Sequence, residues 1–171
     1  MFDRATVDDA EALGVMHVQA WRETYAGLMP DSVLAGLDPV RRGQRWRDII
    51  GAGSFVLLLR QGSDIVGFGS AGPQRDARLV QTGEIGALYL LRQIQRRGVG
   101  RQMMAALGRS LAERGLMSAS LWVLDRNLPA RRFYEALGAC QLMCETVEQD
   151  GQAVSHIAYA WDEVTRLYEG R

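Results

Sequence analysis

The sequence predicts an α+β fold built on a mixed sheet, and three observations carry that prediction. Hydrophobic periodicity changes from a helical repeat to strand-like runs near Phe55 and returns to the helical repeat after residue 98. The resulting order is one strand, two helices, three strands, then helix, strand, helix and two closing strands. At its centre an apolar strand, a glycine-bearing loop, a helix and a further strand form a βαβ-like crossover. A chain of 171 residues can bury one sizeable core, so one domain over residues 1–171 is expected.

The elements follow in order. Residues 2–5 read as a short strand, after which Thr6 or Asp8 caps a helix to about Tyr25, with Leu13, Met16, Ala20 and Trp21 along one side. Gly27 and Pro30 break it. Pro39 suits a first helical turn and begins a helix to Ile50, with Trp46 and Ile49 inward and Gly51 and Gly53 at its end. Phe55–Leu59 and Ile65–Ala71 are strands joined by the turn Gln61-Gly62-Ser63-Asp64. A polar loop over 72–83 holds Pro73, Arg75, Asp76 and Arg78. The strand 84–90 comes next, then a loop and a helix to about Arg114 ended by Gly115, and then the strand Ala119–Leu124. Asp125-Arg126-Asn127 turns into a helix that begins near Pro129 and stops before Gly138. Strands at about 139–148 and 153–161 flank Asp150-Gly151, a strong hairpin signal.

Composition narrows the function classes. Hydrophobic residues at 47% and charged residues at 23% are ordinary for a globular chain and argue against disorder. Twenty acidic residues balance twenty basic ones, all of them arginine, so there is no global pull toward nucleic acid or an anionic membrane. Cys140 and Cys144 are too few for a disulfide framework. Their spacing without a nearby histidine is poor for zinc, so no metal is expected, and both read as small buried residues on one face of a strand. Acidic and polar groups run through the first twenty residues, so neither a signal peptide nor a membrane span is expected there, and the cytoplasm is the expected compartment.

The stretch richest in chemistry is Gln95-Arg96-Arg97-Gly98-Val99-Gly100-Arg101. Before it Glu84–Leu90 reads as a buried strand; after it Met103, Met104, Leu107 and Leu111 recur at helical spacing. A strand, a glycine-bearing loop and a helix start bring free N–H groups and the helix dipole to one point, where a phosphate can reach the backbone. Arg96, Arg97 and Arg101 add charge at that end. The stretch lacks the spacing and Lys-Ser/Thr ending of a nucleotide P-loop, and the third glycine of a dinucleotide fingerprint. Taken alone it is equally compatible with a tight turn that has a solvated basic edge.

Three blocks together resemble the GNAT superfamily, which transfers acetyl from acetyl-CoA to amines. Gln95-x-x-Gly98-x-Gly100 matches the loop that holds the CoA pyrophosphate, here through the main chain of Arg96, Arg97, Gly98, Val99, Gly100 and Arg101. Leu88-Tyr89-Leu90 stands where the superfamily's central strand pairs with the pantetheine arm. Asn127-x-x-Ala130-x-x-Phe133-Tyr134-x-x-x-Gly138 matches its final helix signature. The usual proline after the central strand is replaced by Arg92. The resemblance implies a mixed, mostly antiparallel sheet of about seven strands, flanked by helices, with the strands 84–90 and 119–124 splayed apart.

The reaction sets two demands. An alkylamine with a pKa near 10.4 is almost wholly protonated at pH 7, a penalty of about 4–5 kcal/mol before attack, so a base or a water chain must take the proton. Glu84 opens the central strand amid apolar residues and, by resemblance, stands at the base position, eleven residues before Gln95. The thioester demands a donor for the developing oxyanion and a proton for the departing thiolate. The resemblance assigns these to the Leu88 N–H and to Tyr134, and assigns Asn127 to the pantetheine arm, although Asn is also a preferred helix cap.

The acceptor side is less specified. Trp21, Tyr25 and Met29 are the candidate substrate contacts, together with Glu84; Trp46 and the 72–83 loop are further candidates. The aromatic pair Trp21 and Tyr25 can equally be core packing, and His17 and His156, the sole histidines, read first as structural. The expected function is acetyl-CoA-dependent transfer to the amine of a small molecule or amino-acid-like acceptor, in a ternary complex. The rivals are a protein or peptide N-terminal acetyltransferase and a non-catalytic acyl-CoA-binding regulatory module. No nucleic-acid or membrane partner is expected, and a homodimer through the 139–161 hairpin is left open.

Overall fold

Side-chain alternation along the second strand sets the layering. In the computed structural model, which describes residues 1–149 and 152–169, Val56 and Leu58 pack into one apolar cluster and Leu57 into another on the opposite face. The elements in chain order are β1 (Phe2–Arg4), α1 (Ala10–Tyr25), α2 (Asp31–Ala35), α3 (Pro39–Gly51), β2 (Phe55–Gln61), β3 (Asp64–Pro73), β4 (Gly83–Leu90), α4 (Val99–Ala112), β5 (Ala119–Leu124), α5 (Leu128–Ala136), β6 (Cys140–Gln149) and β7 (Gln152–Trp161). The strands form one seven-stranded sheet in the order β1-β2-β3-β4-β5-β7-β6. Every neighbouring pair is antiparallel except β4 and β5. The α+β sheet flanked by helices that the sequence predicts is the fold observed.

Helices α1 and α3 cover one face, burying Leu13, Met16, Ala20, Trp46 and Ile50 against β2 and β3. Helix α4 covers the other with Met103, Met104, Leu107 and Leu111, joined by Tyr134 and Leu137 from the α5 segment and by the short turn Val164–Leu167. Helices α1 and α3 touch backbone to backbone. A Cβ built on Gly14 would lie 2.4 Å from Gly43 N and 2.6 Å from Pro39 O, so neither helix can approach this way with a side chain at that point. The contact holds α3 fixed over the sheet and aims the residues around Gly43, namely Arg42, Arg45 and Trp46, along it.

Helix starts and stops follow local chemistry. The Asp38 carboxylate accepts from Val40 N–H at 2.8 Å, with Pro39 in the first turn of α3. Thr6 N–H donates to Asp9 Oδ2 at 2.8 Å ahead of α1.

Three expectations are corrected or completed. The segment after Pro30 is a short helix, α2, rather than a plain break: Pro30 precedes it and its carbonyl accepts from Val33 N–H at 3.1 Å. Cys140 and Cys144 are exposed, not buried. They lie on β6, the outermost strand of the sheet, and the register with β7 skips Leu142, which pairs Cys140 with Ala160 and Cys144 with Ile157 and so turns them to opposite faces rather than one. The Asp150-Gly151 turn lies outside the described residues, although β6 and β7 pair down to Gln149 and Gln152.

Candidate active site

Strands β4 and β5 part almost as soon as they meet. Running parallel, they pair only at Gly83 with Ala119 and Glu84 with Ser120, while β4 continues to Leu90 and β5 to Leu124. Ala87, Leu88, Tyr89 and Leu90 are therefore only half-buried although β4 is the middle strand of seven. Register with β3 skips Gly86, a bulge that bends β4 where the separation begins. Leu91 N–H donates to Val66 O on β3 at 2.9 Å. Strand alternation then turns the N–H groups of Leu88 and Leu90 the other way, into the gap, where a polar extended chain can pair with them.

Past β4 the chain prepares an anion site. Gln95 Nε2 donates back to Leu90 O at 2.8 Å, fixing the loop to the strand end. Arg96 and Gly98 have φ of 61° and 79°, a backbone turn that glycine adopts freely at the second position and that Arg96 adopts against preference. Helix α4 then begins at Val99, and Gln102 N–H makes its first bond to Gly98 O at 3.2 Å. The N–H groups of Val99, Gly100 and Arg101 precede that ladder and remain for a ligand. Gly100 is small for a different reason: a Cβ there would stand 3.2 Å from the Phe133 ring of α5. Arg96, Arg97 and Arg101 are exposed around this helix start. The unspent donors, the dipole and the arginines suit a pyrophosphate, and the gap donors suit an amide-bearing arm.

Three phenols converge beside the gap. Tyr25 and Tyr89 share a hydrogen bond of 3.0 Å between their hydroxyls. Tyr134, from α5, is close enough to feel Tyr25, and Tyr89 feels both. Burial is the main cause that pushes all three above the ordinary tyrosine range, so each remains a protonated donor at neutral pH. Tyr134 packs edge-on against Trp161, with ring centroids 6.2 Å apart.

Glu84 lies at the other end of the gap, its side chain only 14% exposed. Its oxygens are held by Arg75: the backbone N–H reaches Oε2 at 3.0 Å, Nε reaches Oε1 at 2.7 Å, and Nη2 also contacts Oε1. The apolar surroundings expected for Glu84 thus include a guanidinium that the sequence reading did not pair with it. Arg75, Glu84 and Gly86 border two cavities. One, of about 650 Å³, runs past Trp122 and Glu145. The other, of about 540 Å³, runs under α1 and α3 past Tyr89, His17, Trp21, Arg42 and Arg45.

His17 in this second cavity is buried and neutral. Its pKa is lowered to about 3 by burial, with Arg42 and Arg45 adding repulsion. Trp46 Nε1–H donates to its Nδ1 at 2.9 Å, which places the ring proton on Nε2, a buried nitrogen with no partner among the described residues. Arg42 stacks over Trp21 at 5.0 Å.

The structure brings together most of the residues singled out from sequence. Leu88, Tyr89, Leu90, Gln95 and the 96–101 segment line one continuous path from gap to helix start, with Tyr134 beside it. Asn127 serves as the α5 cap, its side chain accepting from Ala130 N–H at 3.3 Å. Trp21 and Glu84 line the 540 Å³ cavity; Tyr25 reaches it through Tyr89, and Met29 does not line it. His156 lies on β7 opposite Glu145 and borders neither cavity. Sequence reasoning missed the Tyr89 side chain, His17, Arg42 and Arg45. The available signal was Arg42 four residues before Trp46 and seven before Ile49, a charge on the apolar face of an amphipathic helix.

A parted central strand pair that leads to a donor-rich helix start, with three phenols at the parting, suits an acyl-CoA-dependent transferase. The comparisons agree. The family model described as "Acetyltransferase (GNAT) family" matches residues 18–139. The "Uncharacterized N-acetyltransferase YuaI" of Bacillus subtilis (strain 168) is 30% identical over 163 residues, covering 95% of this chain and 93% of that protein. The chain belongs to the acetyltransferase (GNAT) family and is an acetyl-CoA-dependent N-acetyltransferase. Solved structures share the fold: a ribosomal-protein-alanine N-acetyltransferase from Brucella melitensis (TM-score 0.73, 19% identity, 94% of this chain and 98% of that one); and the yncA acetyltransferase from Salmonella typhimurium with its cofactor acetyl-CoA (TM-score 0.72, 15% identity, 96% and 93%).

Proposed function

We propose that this enzyme acetylates the primary amine of a small molecule, by direct attack in a ternary complex with acetyl-CoA. One observation carries the reading: the gap that frees the Leu88 and Leu90 N–H groups opens beside a walled cavity of about 540 Å³, the scale of a small-molecule site. Support for the donor's place comes from the unspent N–H groups of Val99, Gly100 and Arg101, and from the acetyl-CoA bound by the Salmonella neighbour. Acetyl-CoA supplies the activated acyl group.

The residues then divide the work. Leu88 N–H, aimed into the gap, is the donor for charge developing on the carbonyl oxygen. Tyr134, held protonated by burial, donates to the departing sulfur. Glu84, at the cavity wall, receives the amine proton directly or through water, and Arg75 must loosen its hold for that to occur. Asn127 orients the pantetheine arm with the amide nitrogen that its capping role leaves over.

The test is loss of acetyl-CoA thioester absorbance with a panel of amines, amino acids, polyamines, aminoglycosides and short peptides. Turnover with free small amines is expected. Turnover with peptides alone would replace the small-molecule reading by a macromolecular one, and tight acetyl-CoA binding without any turnover would point to a regulatory binder.

A further inference from the structure

The cavity under α1 and α3 has an unbalanced charge. Among the described residues its wall carries Arg42, Arg45 and Arg75 against a single carboxylate, Glu84, and Glu84 is already committed to Arg75. Neither Arg42 nor Arg45 forms an ion pair with any of the described residues. Both come from one turn of α3, fixed by the Gly14–Gly43 contact, and they are close enough to repel each other. Arg42 is half-buried over the Trp21 ring, and between the arginines and the sheet stands neutral His17, whose Nε2–H has no acceptor among the described residues. A half-buried arginine facing a like charge, beside an unspent buried donor, is a costly arrangement unless a ligand supplies the missing anion.

We infer that the acceptor carries a carboxylate, bound by Arg42 and Arg45, and is an amino acid or another amine bearing such a group. The inference rests on the small-molecule acetyl transfer proposed above and fixes its substrate class. The geometry gives the acceptor a direction: its carboxylate lies toward α3, and its amine lies toward Glu84 and Tyr89 on β4, the other wall of the same cavity. Guanidinium groups match a carboxylate with paired N–H donors, and Arg42, backed by an aromatic face, is preorganised for it. The same wall disfavours polyamines and aminoglycosides, whose added positive charges would meet two unpaired arginines.

Two readouts test this. The first is kcat/KM for matched acceptors, each amino acid against its methyl ester. The acids should be preferred by at least about 10-fold, and Arg42→Gln or Arg45→Gln should erase the preference mainly through KM, with acetyl-CoA affinity unchanged. Arg45 is exposed, so its replacement keeps the fold even if Arg42→Gln weakens packing on Trp21. The second needs no turnover: titration of benzoate, with benzamide as neutral control, followed by the fluorescence of Trp21 and Trp46. Saturable benzoate binding that weakens about 10-fold in Arg45→Gln supports the anion subsite. An equal response to benzamide, or unchanged benzoate binding in both variants, overturns it. Benzoate binding lost in the variants, without acetylation of any small amine, would keep the anion site and overturn the small-molecule reaction. Acetylation indifferent to the carboxylate would do the reverse.

Discussion

The two sides of the proposed site are built differently. The donor side, from Leu88 through Arg101, offers mainly main-chain groups: strand N–H groups turned into a gap and helix N–H groups ahead of their ladder. The acceptor side, under α1 and α3, offers side chains: Arg42, Arg45, His17, Trp21, Tyr89 and Glu84. Backbone recognition constrains a sequence through what must be small or turned, as at Gly98 and Gly100, and tolerates change elsewhere. Side-chain recognition can be rewritten one residue at a time. One scaffold can therefore keep its donor while its acceptor varies.

The largest effect that sharpens this contrast concerns Tyr134, the proposed acid, which acts through its side chain on an otherwise mainly main-chain side. Tyr134→Phe should lower kcat by about 100-fold, the usual scale of general-acid catalysis, while acetyl-CoA affinity stays within about twofold. Burial keeps the hydroxyl protonated, so no alkaline loss of kcat below pH 10 should trace to it. Unchanged turnover would remove Tyr134 from the mechanism and make Tyr89 or Tyr25 the next acid to test.

A smaller effect probes the acceptor side. His17 has a pKa of about 3 when folded against an ordinary value of 6.5. The unfolded chain thus takes up a proton between these limits that the folded chain refuses, and stability is full above pH 6.5 and falls as the pH drops toward 3. At pH 5 this group alone costs about 2 kcal/mol. His17→Gln, which can still accept from Trp46, should remove that component. Urea midpoints of the two proteins at pH 7.5 and pH 5 measure it, and a constant difference between them would show that His17 is not held neutral.

The contrast also explains what could be read from the sequence. The β4–α4 connection was legible because a main-chain site leaves local signs: an apolar run, glycines at a turn and a helix start. The gap between β4 and β5 came only from resemblance, since the pairing lost beyond Ser120 is a tertiary fact. The acceptor wall was not legible because Arg42 and His17, twenty-five residues apart, meet only once Gly14 and Gly43 let their helices touch. Arg75 and Glu84 were both noticed, one as a loop residue and one as a base, but nothing local pairs them. Helix α2 is five residues long, too short for a period to show. Cys140 and Cys144 are exposed and on opposite faces because β6 is an edge strand and a bulge at Leu142 breaks the spacing that would align them, neither of which is a local signal.

The measurement that bears most directly on the two-sided account is acetyl-CoA calorimetry on four proteins: wild type, Gly98→Glu, Arg42→Gln and Arg45→Gln. Gly98→Glu puts a side chain on a left-handed residue and a negative charge where the pyrophosphate belongs, so binding should fall by at least about 100-fold. The two arginine variants should bind as the wild type does. Retained binding in Gly98→Glu, or an equal loss in the arginine variants, would contradict the division of the site into a main-chain donor half and a side-chain acceptor half.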